Sequence, residues 1–396
     1  MSDTAKTACS RSAIQDDLTA MLVTFELSQS SWVLTIRLPR SDKFSRHTLK
    51  ARDLGAVTDL LARQRAKAEK ATGEPVRIIT IYEAGLDGFW LHRWLQARGI
   101  ESHVVDPASI AAPRRKRRAK SDGIDGETLL RTLAAWRRGE PRVCSMVAPP
   151  TPEDEDHRRI NRERSQLVAE RTALTNRING LLLNQGIAGY QPCKRDRLAR
   201  LEELRTGDGR PLLPRLKAEI VRMLERLEIL LRQIKRVEAE RDALVAEAQA
   251  ADPAAPVAML RSLCAIGPEI STTLALECFT RTFGNARQIG AFVGLAPTPW
   301  RSGRVQHEQG IGKAGRPRLR MLMIEAAWAW LRYQPDSALS AWFHARVGNA
   351  QGGPKGAAKK RQKRVAIVAL ARKLLVALWR FVTQGVLPEG AKLKAA

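Results

Sequence analysis

Several patterns that mark whole classes of proteins are missing from this sequence. The six histidines are scattered, which argues against a His-rich metal centre. No apolar run reaches the ~20 residues that cross a bilayer, and the polar segment 1–17 carries acids, unlike a signal peptide. Five cysteines without a C-x-x-C pair argue against a disulfide framework or a zinc site: Cys9, Cys144, Cys193, Cys264 and Cys278. These absences predict a cytoplasmic protein with reduced thiols.

Acidic residues are few relative to basic ones. The 396 residues include 67 Lys and Arg against 41 Asp and Glu, a formal net charge of +26. Such an excess does not define a fold, but it makes nucleic acid the leading partner, with an anionic membrane surface as the competitor. The length predicts two or three domains with ample core.

The first part of the chain has the element order of an α/β domain. Residues 1–18 are predicted to be a disordered tail, and residues 19–148 to fold. Strands are predicted at 21–27, 31–38, 47–50, 76–82 and 102–105, and helices at 54–70 and 89–97. Three antiparallel strands followed by alternating helices and strands are typical of an RNase H-like domain.

Four acidic residues are expected to meet in such a domain. Glu26 and Glu83 end two predicted strands, and sites in open α/β sheets form at the carboxyl edge. Asp122 and Asp125 share one face of the first turn of a predicted helix. Four convergent carboxylates bind two Mg²⁺ or Mn²⁺ ions, which stabilise the attacking and leaving oxygens of a phosphodiester. Alternatively, strand ends and a capped helix simply carry solvated acids, and Asp106 is either a rival ligand or a turn residue.

The middle of the chain, residues 149–251, is predicted to be a coiled-coil linker and oligomerisation region. A Pro- and acid-rich stretch at 149–156 marks the boundary, and a helix at 158–185 is followed by a polar loop at 186–211. The next helix forms either an antiparallel hairpin with its predecessor or a pair between subunits. Its apolar residues recur at spacings of four and three, with a gap at Arg241: Leu216, Ile220, Met223, Leu227, Leu230, Ile234, Val237 and Leu244.

Basic residues are concentrated in two segments of the chain that are candidates for nucleic-acid binding. One run precedes the predicted helix of Asp122 and would draw a polyanion towards it: Arg114, Arg115, Lys116, Arg117 and Arg118. The other begins Lys359, Lys360, Arg361 and is predicted to be a flexible phosphate-binding segment ahead of a helix at 365–382.

Ser302 is the candidate nucleophile of the last part, residues 252–396. It lies on a predicted Ser-Gly turn, and no acid occurs between Glu308 and Glu325 on its C-terminal side. Cations there would stabilise both its alkoxide and a pentavalent transition state. Ser-Gly is also an ordinary turn dipeptide, so the residues alone leave both interpretations open. The nearby basic residues are candidate phosphate contacts: Arg301, Arg304, Lys313, Arg316, Arg318 and Arg320.

Five motifs, in their shared order and spacing, resemble those of one protein family. They are Glu83-Ala84-Gly85, Ser121-Asp122-Gly123-Ile124-Asp125-Gly126, Gly294-Leu295-Ala296-Pro297, Ser302-Gly303 and Lys313-Ala314-Gly315-Arg316. From about Thr24 to Pro388 the chain resembles the DEDD-type insertion-sequence transposases of the IS one-hundred-ten family, the bridge-RNA-guided recombinases. The resemblance implies an α/β plus α fold: an RNase H-like (RuvC-like) domain with the acidic tetrad, a coiled-coil hairpin, and a mainly helical C-terminal transposase domain.

The resemblance also implies a mechanism, cofactors and partners. The family's nucleophilic serine matches Ser302, which would form a transient phosphoserine link to DNA with Mg²⁺ (or Mn²⁺) held by the acids. A structured bridge RNA would pair with donor and target DNA, and members assemble as homodimers that join into homotetramers. The implied location is the bacterial cytoplasm, at the nucleoid. Glu26 departs from the family, which usually has Asp here, and the extra methylene shifts a ligand by roughly one C–C bond.

Two functions of other classes fit the same residues. An RNase H-like site alone would make a metal-dependent nuclease or junction resolvase, with water as nucleophile and Ser302 as a turn residue. A non-enzymatic basic nucleic-acid-binding protein would be indifferent to Asp122→Ala and Ser302→Ala, although four ordered acids argue against it. An inactive transposase copy would carry the same motifs. Covalent trapping of the protein on DNA would distinguish the recombinase from the nuclease.

Overall fold

The computed structural model describes residues 19–85, 88–110, 122–141, 143–302, 305–312, 315–348 and 357–394. Only the backbone is described at 108, 122–124, 299–302, 305–309 and 357–360. The predicted disordered tail, 1–18, and the basic run 114–118 lie outside the described residues. The chain divides into two compact units, one ending at Thr151 and the other beginning at Pro152.

The first unit is built on a mixed sheet of six strands in the order β3-β2-β1-β4-β5-β6. The first three strands form an antiparallel meander, β4 and β5 run parallel to β1, and β6 is antiparallel to β5. The bounds are β1 Met21–Leu27, β2 Ser31–Arg37, β3 Phe44–Lys50, β4 Ile78–Glu83, β5 Glu101–Val105 and β6 Met146–Val147. The predicted α/β class is confirmed. The sequence analysis missed β6, because two residues are too few for a periodic pattern.

Helices cover both faces of this sheet. Helix α1 (Leu54–Thr72) and α2 (Trp90–Gln96) pack on one face, and α3 (Asp122–Arg137) on the other. Successive residues of a strand point to opposite faces, so Phe25 of β1 is buried with α1 and α2 while Leu22 is buried with α3. The same alternation turns the even-numbered residues at the end of β1 towards α3.

The second unit begins with a long antiparallel helical hairpin. After the short α4 (Pro152–His157), α5 (Arg159–Leu183) packs against α7 (Pro214–Ala251). Arg164 pairs with Glu238 and Arg177 with Glu219, so the start of one helix meets the end of the other. This is the first of the two predicted arrangements for the repeat.

The connection between the two long helices is not the polar loop predicted at 186–211. It contains α6 (Arg197–Glu203), and Tyr190 and Leu201 are buried with residues of α5 and α7. The Tyr190 hydroxyl donates to the backbone carbonyl of Arg197 at 2.7 Å. Widely spaced apolar residues among many charges gave no periodic signal, and the loop prediction was therefore wrong.

Helices dominate the rest of the second unit. They are α8 (Pro256–Ser262), α9 (Pro268–Glu277), α10 (Ala286–Val293), α11 (Pro317–Tyr333), α12 (Ala338–Gly348) and α13 (Ala357–Gln384). Their shared core includes Trp330 of α11, Phe343 of α12 and Leu374 of α13. Helix α13 begins at Ala357, so the basic run at 359–361 is helical and the prediction of a flexible segment was wrong.

A two-stranded hairpin, β7 (Pro297–Ser302) and β8 (Val305–Ile311), interrupts these helices. The sequence analysis predicted only a turn there. Within the described ranges, every helix is too short or too polar to span a bilayer.

Candidate functional site

Glu26 and Glu83 lie side by side at the carboxyl edge of the first sheet. The parallel register of β1 and β4 pairs Phe25 with Tyr82, and the two glutamates are the next residue of each strand. Ile81, two residues before Glu83, is buried against α3, so both glutamates lie on the face that α3 covers. The predicted convergence of the two strand ends is present in the fold.

Helix α3 approaches Glu26 through a glycine. A Cβ atom built on Gly126 would lie 2.6 Å from Glu26 Oε1 and closer still to Thr35 Oγ1 of β2. Gly126 and Thr35 are buried. Asp125, the preceding residue of α3, is therefore next in the chain to the point where α3 meets Glu26.

A cleft of about 600 Å³ opens at this edge of the sheet. Glu26, Glu83 and Asp125 contribute three carboxylates to its walls, and Arg52, from the turn after β3, contributes a cation. The remaining lining residues come from the ends of β1 and β4 and from α3: Phe25, Leu27, Ser28, Gln29, Ala84, Gly85 and Leu129. The cleft therefore brings three of the four predicted metal ligands to one opening.

The other two acids considered from the sequence have different positions. Asp122 is the first residue of α3, one turn before Asp125, and its side chain lies outside the described atoms. Asp106 is absent from the lining of the cleft, and its carbonyl accepts from the Ser109 N–H at 2.9 Å, closing the turn after β5. Asp106 thus occupies the turn position that the sequence analysis gave as its alternative.

The donor set of the cleft suits a hard divalent cation. Carboxylate oxygens are the ligands that Mg²⁺ and Mn²⁺ take in proteins, and the absence of a side chain at Gly126 leaves room for the Glu26 carboxylate beside α3. Among the described side chains, which exclude Asp122, no three acidic, His or Cys groups come close enough to hold an ion by themselves. The kind of ligand in the cleft therefore suits a hard cation, and the described carboxylates alone are too far apart to hold one.

Ser302 is the last residue of β7, where its backbone pairs with Val305 of β8. Its side chain lies outside the described atoms, as do that of Arg301 and all of Arg304 and Lys313. The base of the hairpin is fixed by the Gly312 N–H, which donates to the Ala296 carbonyl at 3.0 Å. Ser302 is therefore the last paired residue of the first strand of this hairpin.

Two of the predicted phosphate-binding arginines have contacts inside the protein. Arg318 donates through Nη1 to Glu277 Oε1 at 2.5 Å and through Nη2 to the Asn161 carbonyl at 2.8 Å. The Arg316 guanidinium lies 4.8 Å from the ring centroid of Phe292, and burial lowers its pKa. Arg320 is half-buried on the first turn of α11. Arg316 and Arg318 therefore have contacts within the second unit, whatever they contribute to phosphate binding.

The structure adds basic residues that the sequence analysis did not single out. Arg372, Lys373 and Arg380 of α13 line a groove of about 530 Å³ together with Leu339 of α12. Lys373 Nζ lies 4.8 Å from the ring centroid of Trp342. The predicted amphipathic helix at 365–382 contained the signal, since these cations are spaced to share one face. Arg361 is exposed on the first turns of the same helix.

Comparison with known proteins identifies the family. A model described as "Transposase IS116/IS110/IS902 family" matches residues 257–341, and a transposase model named for the DEDD residues of IS110 matches residues 45–185. "Putative transposase y4rJ" of Sinorhizobium fredii is 54% identical over 389 residues, 96% of each chain. The transposase of insertion sequence element IS1111A of Coxiella burnetii is 27% identical over 74% of each chain. The transposase of insertion sequence element IS1328 of Yersinia enterocolitica is also 27% identical, over 67% of this chain and 72% of the relative. The chain belongs to the IS110 family of insertion-sequence transposases, enzymes that act on DNA.

Proposed function

We propose that this transposase cleaves and exchanges DNA strands under the guidance of an RNA, with Ser302 as nucleophile and a carboxylate-bound Mg²⁺ or Mn²⁺ as its aid. The observation that carries the proposal is the convergence of Glu26, Glu83 and Asp125 on one cleft. The strand order β3-β2-β1-β4-β5 also supports an RNase H-like assignment for the first unit. Family membership supports the use of a divalent metal.

The acids have the role of metal ligands in this proposal. Glu26, Glu83, Asp122 and Asp125 would hold the cation, and a bound divalent ion supplies charge that stabilises the oxygens of a phosphodiester during displacement. The Glu26 carboxylate is confined by the packing of α3 on the sheet, so it loses little side-chain freedom on binding.

Ser302 has the role of nucleophile. Its Oγ forms a bond to a DNA phosphorus while one P–O bond of the strand breaks; the serine proton leaves to solvent and the departing oxygen takes up a proton. Attack by the oxygen of another strand end then restores a phosphodiester and frees the serine. The position of Ser302 suits this role because the end of a hairpin strand can approach a DNA backbone closely.

Nucleic-acid binding in this proposal rests on charge. Arg361 and the groove of Arg372, Lys373 and Arg380 present cations that bind phosphates without reading sequence. Sequence would then be read by base pairing with the RNA. The helical hairpin of α5 and α7 would join protomers into dimers and tetramers.

A metal-dependent nuclease with water as nucleophile is the second candidate. It is favoured by one observation: every residue that the structure describes in the lining of the carboxylate cleft belongs to the first unit. Arg316 and Arg318, two cations proposed to support Ser302, are also engaged in internal contacts.

A covalent-capture assay separates these functions. The purified protein is mixed with DNA of the element end, the RNA from the element flank and Mg²⁺, then denatured and analysed on a gel. We expect a protein–DNA adduct that is lost in Ser302→Ala and in Asp125→Ala. Matched controls are Ser41→Ala in a loop of the first unit and Asp59→Ala on the exposed side of α1, which should form the adduct normally. Cleavage without an adduct, dependent on Asp125 but not on Ser302, would establish the nuclease instead.

A further inference from the structure

The side chain of Glu26 occupies space that almost any other residue at position 126 would fill. The point at which a Cβ atom of residue 126 would stand lies 2.6 Å from Glu26 Oε1, a distance that real Cβ contacts do not adopt. The contact is between the end of a long side chain and the backbone of α3. It therefore depends on the length of residue 26 as much as on the size of residue 126.

Thr35 borders the same point from the neighbouring strand. It is fully buried, its Oγ1 has no hydrogen-bond partner among the described residues, and it too lies within contact of the missing Cβ. Thr35 and Thr24 are partners across β1 and β2, so Thr35 faces α3 on the same side of the sheet as Glu26. The carboxylate is thus enclosed between the helix backbone and a buried hydroxyl.

We propose that Gly126 is a positioning residue that lets a glutamate serve at position 26. Without a Cβ atom at 126, the additional methylene of Glu26 is accommodated by laying the carboxylate over the first turn of α3, beside Asp125. A larger residue at 126 requires a shorter acid at 26. The inference deepens the proposed metal site and rests on it for its functional consequence, but the steric pairing is a property of the apoprotein.

The test is a double-mutant cycle between positions 26 and 126 in the full-length protein. All variants are built in a Thr35→Ser background. If Thr35 rotated its hydroxyl away from the added Cβ atom, its methyl group would take the place of the hydroxyl, and serine has no such methyl group. The variants are Gly126→Ala, Glu26→Asp, both together, and Gly126→Ala with Glu26→Gln. The Gln variant keeps the length of Glu and removes its charge, so it separates size from charge.

Two measurements are made on each variant: the melting temperature with EDTA, and Mn²⁺ affinity by electron paramagnetic resonance of the free ion. We expect Gly126→Ala to lower the melting temperature by about 5 °C or more and to weaken Mn²⁺ binding about 10- to 100-fold. Adding Glu26→Asp should recover most of both losses, whereas adding Glu26→Gln should recover neither. Positions 26 and 126 are coupled if the variant with both Gly126→Ala and Glu26→Asp has a higher melting temperature and a higher Mn²⁺ affinity than Gly126→Ala alone.

Independent losses would overturn the inference. If Glu26→Asp adds its own defect to that of Gly126→Ala in both measurements, Gly126 is a packing residue with no relation to residue 26. If the parent protein binds no Mn²⁺ but the melting temperatures are coupled, the metal site of the proposed function fails while the steric pairing stands. If the parent protein binds no Mn²⁺ and the melting temperatures are not coupled, both the metal site and the steric pairing fail.

Discussion

Gly315 lies directly against Gly294 in the second unit. A Cβ atom on Gly315 would stand 2.5 Å from the Gly294 nitrogen and 2.7 Å from its Cα, and the φ of Gly315 is +97°. Gly294 ends α10 with a φ of +77°. Gly294 of the Gly-Leu-Ala-Pro motif and Gly315 of the Lys-Ala-Gly-Arg motif thus form a crossing point at the base of the Ser302 hairpin.

Gly315→Ala should destabilise the second unit strongly. The positive φ alone costs an alanine about 1–3 kcal/mol, and the backbone clash with Gly294 adds to it. Gly310→Ala is the matched control, because Gly310 has a φ of +83° and, among the described residues, no atom lies within 4 Å of the added Cβ. Urea unfolding should give a cost of about 1 kcal/mol for Gly310→Ala and a clearly larger one for Gly315→Ala. Equal costs would mean that the crossing relaxes freely.

The sequence predicted those parts of the site that depend on local pattern. Glu26 and Glu83 were identified because β-rich runs end there and parallel strands share an edge. Gly126 and Thr35 were missed, since their importance comes from packing of a helix on a sheet, which no spacing reveals. Arg318 looked like a free cation, but its partner Glu277 lies 41 residues away along the chain. Contacts between distant segments are what the one-dimensional pattern lacks.

The same distinction applies to the fold. Five of the six strands of the first sheet, and the long helices, were predicted from apolar runs, alternation and heptad spacing, with shifted ends. The β7–β8 hairpin was missed because Pro297, Pro299 and Ser302 read as turn residues. Its strands pair with a register shift between Pro297 and Pro299, so the regular alternation of a strand is broken.

Glu101 should make the stability of the first unit depend on pH. Its pKa is lowered from 4.5, first by the hydrogen bond from His103 Nε2 at 2.8 Å and further by the charge of Arg137. A lowered pKa means that the ionised group stabilises the folded state above the ordinary carboxyl pKa. This stabilisation is lost as the pH falls through the lower, folded-state value.

The measurement is the urea midpoint of wild type and Glu101→Gln between pH 3 and 7. The wild type should be more stable at pH 7, and the difference should shrink as the pH falls below about 4. Glu140→Gln, in an exposed pair with Arg138, is the control and should differ from wild type by less than about 0.5 kcal/mol throughout. A difference for Glu101→Gln that does not change with pH would contradict the prediction.

Arg241 interrupts the apolar repeat of α7 and is buried there. It pairs with the half-exposed Asp242, and its Nη1 is buried without a hydrogen-bond partner among the described residues. Asp242 is half-exposed and remains solvated without its partner, so replacing the buried Arg241 by an apolar residue of similar size leaves no buried charge unpaired. Arg241→Leu should therefore raise the melting temperature or leave it unchanged. Arg222→Leu, on the exposed side of the same helix, should give no gain; a large loss for Arg241→Leu would show that the ion pair is needed.

Arg318 and Arg361 should separate structural from nucleic-acid-binding cations. Arg318→Ala leaves the buried Glu277 carboxylate with the more distant Arg162, 3.9 Å away. Removing one partner of a buried pair costs about 3–5 kcal/mol, so the main effect of Arg318→Ala should be a lower free energy of unfolding. Arg361 is exposed on α13, and Arg361→Ala should change stability by less than about 0.5 kcal/mol.

Binding of duplex DNA then distinguishes the two arginines in folded protein. If Arg361 contacts a phosphate, the slope of log affinity against log salt concentration should fall by about one unit in Arg361→Ala. The slope for Arg318→Ala, measured at a temperature where it is folded, should equal that of wild type, because its guanidinium is already engaged by Glu277 and the Asn161 carbonyl. A reduced slope in Arg318→Ala with an unchanged melting temperature would reverse the two roles and return Arg318 to the phosphate contacts expected from the sequence.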